Sequence, residues 1–190
     1  MVRRALSTEV DEAATVQSAR ARRNRERGYL YENTALQALR HIRIHAELCG
    51  GAGDRGVDLR GHWYLPAGGT RVAETRLPIV GQCKRLSRVL GPMAVRELAG
   101  VAMRDRALGL LISASGFSQQ AMREWRGSKA PLVLVDLPAD ALEFSALTWN
   151  DAAAEQLRGL VVGRRALPKN GQLTTVLYYY GVPVVETSTS

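Results

Sequence analysis

The sequence contains little cysteine, little lysine and no long apolar run, and each shortage excludes a class of protein or site. Cys49 and Cys83 are the only cysteines, and with three scattered histidines they form no cluster at zinc-site spacing. So low a cysteine content fits a reducing compartment best. No stretch approaches the roughly 18 consecutive apolar residues that a transmembrane helix requires, so we expect no membrane partner.

The first residues also lack the apolar segment of a secretory signal peptide. Arg3 and Arg4 are followed by Glu9, Asp11 and Glu12, whereas a transit peptide is poor in acidic residues. This part of the sequence therefore leaves targeting open.

Arginine, by contrast, is abundant. The 190 residues carry a formal net charge of +8, and only three of the 26 basic residues are lysine. A basic surface favours a polyanionic partner, most often nucleic acid, although many basic proteins bind none. The densest basic run, residues 20–27, is typical of a solvated helix or arm, and in some proteins such an arm follows DNA.

Apolar periodicity predicts an α/β fold in one domain. The first three strands follow one another through short turns and should be antiparallel, whereas the later strands alternate with helices, which favours parallel or mixed pairing. The predicted elements are a helix at 28–40, strands at 42–48, 56–65 and 77–85, a helix at 93–104, a strand at 107–113, a helix at 119–125 capped by Ser118, and a strand at 131–137.

The same pattern divides the chain into three segments. Residues 1–27 are predicted to be a basic N-terminal arm, 28–137 the core, and 138–190 a C-terminal extension packed on the core. Within the extension we expect a helix at about 150–160 and an apolar stretch at 173–185.

Lys84 stands out because the chain otherwise uses arginine for positive charge. It follows the apolar run 77–83, and its ammonium is a compact point charge that arginine cannot replace. Residues two apart on a strand share a face, so Gln82 and Lys84 should point the same way and Cys83 into the core.

Three oxygen-bearing side chains are candidates for holding a divalent cation near Lys84. Asp58 begins the second strand, Gln82 offers a neutral carbonyl oxygen, and Glu32 lies on the apolar face of the first helix. Mg²⁺ prefers such oxygen ligands, and a cation of this kind promotes attack of water on a phosphodiester. Lys84 could orient that water or stabilise charge on the phosphate. Because Gln82 is neutral, metal binding should be poor without a bound phosphate.

Two of the acidic residues have ordinary alternative explanations. Glu32 could lie at the edge of the apolar stripe and reach solvent, or pair with an arginine. Asp54, in the glycine-rich segment 50–56, is either a second acid or a simple turn residue, since Asp favours turns. That segment has neither the Walker nor the dinucleotide-binding glycine pattern.

Together these residues resemble the PD-(D/E)xK nuclease superfamily, and within it the Mrr-like restriction endonuclease family. The similarity covers residues 28–137. It rests on Glu32 in the first helix, Gly53-Asp54-Arg55-Gly56-Val57-Asp58 and Gln82-Cys83-Lys84 at the second and third strands, and the later segments Val95-Arg96-Glu97-Leu98-Ala99-Gly100 and Ser115-Gly116-Phe117-Ser118.

The resemblance implies a restriction-endonuclease-like αβββαβ core with a central mixed sheet flanked by helices. It also implies a Mg²⁺- or Mn²⁺-dependent endonuclease that hydrolyses phosphodiester bonds of DNA. By this likeness Asp58 and Gln82 are metal ligands, Lys84 is catalytic, and Glu32 is an auxiliary acid that helps to hold the metal. Mrr-like members commonly carry Gln in place of the superfamily's acid, so Gln82 does not indicate a dead site.

The resemblance also bears on location and assembly. The stretch 147–150 is similar to fungal mitochondrial relatives of Mrr needed for respiratory growth, which favours mitochondria over a bacterial cytoplasm. Many such nucleases form a homodimer to cut both strands. Two other functions stay open: a catalytically silent DNA-binding factor for genome maintenance, and a nuclease selective for branched DNA. The four intact site residues favour an enzyme.

Overall fold

The computed structural model describes residues 2–49, 56–67, 73–166 and 173–185. Among them no helix is both long and apolar enough to cross a membrane. The elements in chain order are α1 (Val2–His41), β1 (Ile44–Leu48), β2 (Leu59–Leu65), β3 (Thr75–Lys84), α2 (Pro92–Asp105), β4 (Leu108–Ser113), α3 (Gln119–Gly127), β5 (Leu132–Asp136), β6 (Ala146–Trp149), α4 (Asp151–Ala154), β7 (Leu160–Ala166), β8 (Leu173–Tyr179) and β9 (Val182–Pro183).

A six-stranded mixed sheet forms the centre of the molecule, with strands in the order β1 to β6. The pairs β1–β2 and β2–β3 are antiparallel, and β3–β4 and β4–β5 are parallel. Both the predicted element order through β5 and the change from antiparallel to parallel pairing are confirmed. The sequence pattern did not predict β6, which pairs antiparallel with β5 and forms the edge of the sheet.

Helices cover both faces of this sheet, which explains why its parallel strands are apolar on both sides. On one face α1 packs Tyr31, Ala35 and Leu39 against strand residues that include Trp63 and Ile112. On the other face α2 and α3 pack against the sheet; the buried residues there include Val95, Leu98, Trp125, Val80 and Leu111. Each face therefore has its own core.

The helix expected to begin at Gly28 begins instead at Val2 and continues to His41 without interruption. Its sequence contains no proline and is rich in alanine, arginine and glutamate, which favour helix. A glycine inside a helix costs only about 1 kcal/mol relative to alanine, so Gly28 does not end it. The three-segment division of the chain remains a prediction.

The helix expected at 150–160 is wrong in most of its length. Only Asp151–Ala154 is helical, with Asn150 as its N-cap. Gly159 has a φ of +93°, and Leu160 then starts β7, which pairs antiparallel with β8. The helix ends at Ala154, before the turn residues 155–159, and the apolar residues that follow Gly159 suit a strand.

The apolar stretch at 173–185 forms β8 and β9, which complete a separate three-stranded sheet with β7. The buried side chains of this sheet, among them Leu160, Leu177 and Tyr179, belong to the same core as α1. The described part of the extension thus contributes both an edge strand and core residues.

Candidate active site

The candidate site lies at the carboxyl end of β3. The carboxyl ends of β4 and β5 lie on the same side of the sheet, which we call the site edge. Cys83 is buried in the α1 core, as predicted. Gln82 is also buried, and Lys84 is half-buried beside Ser113 at the end of β4. Strand alternation therefore directs Gln82 and Lys84 away from the α1 core.

Asp58 is fixed beside β3 by its backbone and its side chain together. Its N–H donates to the carbonyl of Gly81 (2.9 Å), and its carbonyl accepts from the N–H of Cys49 (2.9 Å). Its carboxylate accepts a 2.7 Å hydrogen bond from the backbone N–H of Cys83. Asp58 is thereby held next to the strand that carries Gln82 and Lys84.

Gln82 is an unusual buried residue because part of its amide is unsatisfied. Its side chain is almost fully buried, and its Oε1 has no hydrogen-bond partner among the described residues. Its Nε2 lies 2.7 Å from the position that a Cβ on Gly56 would occupy, and Gly56 has a φ of +76°. The glycine therefore leaves the space that the amide needs.

Glu32 is half-buried on α1, and two other predicted site residues affect the pKa of its carboxyl. Burial raises the pKa of its carboxyl, the Asp58 carboxylate raises it further, and Lys84 lowers it. The pKa of Asp58 is likewise raised by burial, against the opposing effects of the Cys83 N–H and Lys84. Two acids and one lysine are therefore close enough to interact.

The raised pKa values of these carboxyls have a consequence for stability. A carboxyl whose pKa rises on folding binds its proton more tightly in the folded state, so its contribution is lost as the pH rises through the folded pKa. Above those values the Glu32 and Asp58 carboxylates disfavour folding. A bound cation would offset that effect.

The ordinary explanation of Glu32 as an arginine partner finds no support among the described residues, where no arginine forms an ion pair with it. Asp54, the other uncertain acid, lies outside the described residues. Within the described ranges no three His, Cys, Asp or Glu side chains form a metal-binding group. Among the described residues, the predicted oxygen donors are therefore the Glu32 and Asp58 carboxylates and the Gln82 amide.

This donor set suits a hard divalent cation. Mg²⁺ is commonly bound through one or two carboxylates while it retains waters and phosphate oxygens. A buried amide oxygen without a partner normally costs about 1–3 kcal/mol, and a cation would satisfy it. The residues present therefore fit Mg²⁺ or Mn²⁺.

The serines near this edge have structural roles in the described structure. Ser118 caps α3 by accepting from the N–H of Ala121 (3.1 Å), as predicted. Ser113 Oγ donates to the carbonyl of Gly116 (3.0 Å), and Ser115 Oγ donates to the carbonyl of Arg88 (2.6 Å). These bonds join the turn after β4 to the loop after Lys84.

Two contributors to the site were missed in the sequence. One is the backbone N–H of Cys83, which holds Asp58 although the Cys83 side chain points to the core. The other is the role of Gly56, which the sequence pattern placed only within the segment 53–58 and at the start of the predicted strand, without the space it leaves for Gln82. A pattern of side chains does not identify a backbone hydrogen-bond donor, so only the pairing of β2 with β3 could reveal the role of the Cys83 N–H.

The chain is similar to restriction endonucleases of one family. The model of the Mrr-type restriction endonuclease family matches residues 24–139, more than half of the chain. That range includes all four predicted site residues: Glu32, Asp58, Gln82 and Lys84.

Two individual proteins are also similar. An uncharacterized mitochondrial protein of Schizosaccharomyces pombe is 29% identical over 130 residues, which make up 66% of this chain and 51% of that protein. The chain thus matches about half the length of this curated relative. A solved structure of the MspJI restriction endonuclease in complex with a 27-mer oligonucleotide is 26% identical, with a TM-score of 0.44, over 65% of this chain and 28% of the other.

Proposed function

This chain belongs to the Mrr-type restriction endonuclease family, and from that membership we propose that it is a metal-dependent DNA endonuclease that hydrolyses phosphodiester bonds. Family membership supports a nuclease in general. The assignment of cation, substrate and residue roles depends on the geometry at the end of β3.

In this proposal Asp58, Gln82 and Glu32 hold Mg²⁺ or Mn²⁺. The Cys83 N–H orients the Asp58 carboxylate, and the space above Gly56 accommodates the Gln82 amide. A cation bound there would polarise the scissile phosphate and lower the pKa of the attacking water. Gln82 is neutral, so phosphate oxygens of the DNA would have to complete the set of ligands.

In this proposal Lys84 supplies a catalytic ammonium group beside the metal ion. It is close enough to lower the pKa of both Glu32 and Asp58, so its ammonium lies within the same group of charges. From there it could stabilise the negative charge that develops on the phosphate oxygens, or orient the attacking water. An arginine would be a poor substitute, because its planar guanidinium is larger and differently shaped.

One observation carries the proposal: a buried Gln82 Oε1 that has no partner among the described residues, on the strand against which Asp58 is fixed. Buried polar atoms in folded proteins are almost always hydrogen-bonded, and an exception indicates a function or an unseen ligand. An amide oxygen without a described partner, on the strand that binds the Asp58 carboxylate, is best explained by a cation.

Cation binding tests this proposal apart from catalysis. We expect Mn²⁺, followed by electron paramagnetic resonance, to bind the protein weakly alone and at least about tenfold more tightly with a non-cleavable phosphorothioate duplex, since phosphate completes the site. Asp58→Asn and Gln82→Ala should abolish that gain. Glu47→Gln, which changes an exposed carboxylate of β1, should retain it.

The same protein should cleave DNA with Mg²⁺ or Mn²⁺ and lose that activity when a chelator is added. An equal gain in Mn²⁺ affinity for wild type, Asp58→Asn and Gln82→Ala would contradict the assigned ligands. DNA binding without any cleavage would favour the catalytically silent maintenance factor.

We further propose a mitochondrial location, supported by the similar mitochondrial protein of Schizosaccharomyces pombe, with a bacterial cytoplasm as the alternative. The homodimer remains a prediction, which sedimentation of the purified protein would test.

A further inference from the structure

Helix α1 extends beyond the sheet on the side of the candidate site. Tyr31 donates its hydroxyl to the carbonyl of Leu137 (2.8 Å), just past the carboxyl end of β5. At the other end of the helix, Trp63 donates to the carbonyl of Ile42 (2.9 Å), and Trp63 pairs with Leu77 near the start of β3. The helix therefore crosses the sheet from the site edge to the opposite edge, and residues before Tyr31 project past the site edge.

The projecting part of α1 is strongly basic and exposed. We call residues 17–27 the overhang; every side chain in it is exposed. It contains five arginines and a single acid, Glu26. Because the overhang is continuous with a helix that packs against the core, the helix fixes the side from which each arginine projects.

Helical spacing shows which arginines face the sheet side. Arg20 precedes Ala38 by 18 residues, or five full turns, and Arg27 precedes Tyr31 by about one turn. Ala38 and Tyr31 are both buried against the sheet. Arg20 and Arg27 therefore lie on the same side of the helix as its buried residues, but in the part of the helix that projects past the core.

A third arginine lies on the same face of α1 as the candidate site residue Glu32. Arg25 precedes Glu32 by seven residues, close to two turns, so the two share a helix face. The front arginines, as we name this set, are Arg20, Arg25 and Arg27.

The remaining two arginines face the opposite way. Arg22 and Arg23 precede Tyr29 and Leu30 by seven residues, and those two side chains are 60% and 63% exposed. Arg22 also pairs with Glu26 (2.9 Å), which offsets part of the charge on that side. The single acid of the overhang is therefore on the back of the helix, and no arginine on the front forms an ion pair with another described residue.

We propose that the front arginines bind the phosphate backbone of the DNA duplex beside the cleavage point, a contact that rests on the proposed function of the site. With about 1.5 Å of rise per residue, Arg20 lies about 18 Å from Glu32 along the helix. That length corresponds to about five base pairs of duplex at about 3.4 Å each. Contacts of arginine with phosphate position a duplex without reading its sequence.

The test compares two double variants with the same change in charge. Arg20→Gln with Arg25→Gln removes front charge, and Arg22→Gln with Arg23→Gln removes back charge from the same helix segment. Binding of a labelled duplex is measured by fluorescence anisotropy over a salt titration in chelator, so that no cleavage occurs. Circular dichroism establishes that both variants keep the helix, as expected because Gln favours helix about as well as Arg.

We expect the front variant to bind on the order of tenfold or more weakly at low salt, and the slope of log Kd against log salt to fall by about 0.9 per lost phosphate contact, hence by about 1.8. The back variant should keep the wild-type slope. Equal losses in both variants, or no loss in either, would overturn the proposal. So would a front-specific loss of binding to vesicles of anionic phospholipid with duplex binding unchanged.

Cleavage of plasmid by the wild-type protein separates this inference from the proposed function. If the wild-type protein does not cleave and only the front variant loses duplex binding, the DNA contact is supported and the endonuclease is refuted. Cleavage by wild type, with both variants binding as wild type does, would refute the contact alone.

Discussion

At the scale of single residues, the candidate site stabilises the fold less than ordinary core packing would. Gln82 buries an oxygen that has no partner in the described part of the chain, and burial raises the pKa of both Glu32 and Asp58. An unsatisfied buried polar atom costs about 1–3 kcal/mol. Such a cost at one edge of a well-packed sheet is typical of a functional site, where stability is lost in exchange for binding or catalysis.

Gly56 gives a prediction about the space around Gln82. Gly56→Ala would place a methyl group 2.7 Å from Gln82 Nε2 on a backbone with φ of +76°. We expect a loss of about 1–2 kcal/mol in the free energy of unfolding from the left-handed backbone alone. We also expect cleavage to fall, because the amide must move.

Urea denaturation and plasmid cleavage measure these two effects. The matched control is Gly100→Ala in α2, where the glycine is exposed and a Cβ would meet nothing within 4 Å. That change should stabilise the protein by about 0.5–1 kcal/mol and leave cleavage unchanged. Identical behaviour of the two variants would show that Gly56 does not shape the site.

At the scale of elements, Asn150 joins the C-terminal extension to the central sheet. Its Oδ1 accepts from the N–H groups of Leu132 (3.0 Å) and Ala153 (3.2 Å), so it caps α4 and binds β5 at once. Its Nδ2 lies within hydrogen-bond distance of three carbonyls, the shortest being that of Ala130 at 2.9 Å. One buried amide therefore connects β5, α4 and the loop after α3.

Asn150→Ala should destabilise the protein by about 2–4 kcal/mol, because it removes a cap and leaves buried backbone groups unpaired. Thermal unfolding should show one cooperative transition at a lower Tm. The control is Asn33→Ala, whose amide donates to the Tyr29 carbonyl within α1; it should change stability by about 0.5 kcal/mol or less. A second, separate transition for Asn150→Ala would mean that the extension folds independently of the sheet.

Much of the central sheet was predictable because its signals are local. Neighbouring residues alone specify the strand that ends at Lys84, the turns at glycine and proline, and the Ser118 cap. The predicted order from the first helix to β5 is confirmed. The alternation Gln82-Cys83-Lys84 also gave the correct burial of Cys83.

The remainder depends on contacts between distant parts of the chain. The strand β6 follows from pairing with β5, and β7, which begins after the turn at Gly159, follows from pairing with β8; local helix propensity reveals neither. The bond from the Cys83 N–H to Asp58 joins residues 25 apart. The charge effects between Glu32 and Asp58 likewise require the packed position of α1.

At the scale of the whole molecule, one edge of the sheet collects the chemically distinctive features. The carboxyl ends of the three parallel strands, the projecting basic helix and three acids with a raised pKa, Glu32, Asp58 and Asp136, all lie on that side. The opposite edge carries the turn from α1 into β1. A net charge of +8 concentrated partly on the overhang suits a polyanion that approaches the site edge.

Cleavage of supercoiled plasmid with Mg²⁺ or Mn²⁺ tests the central claim most directly. Wild type is compared with Lys84→Ala and with Lys129→Ala, an exposed lysine in the loop after α3. We predict cutting by wild type and Lys129→Ala, and a loss of at least about 100-fold in Lys84→Ala, the usual effect of removing one charge-stabilising group. Equal cutting by all three proteins, or no cutting by wild type while it binds the plasmid, would contradict the account.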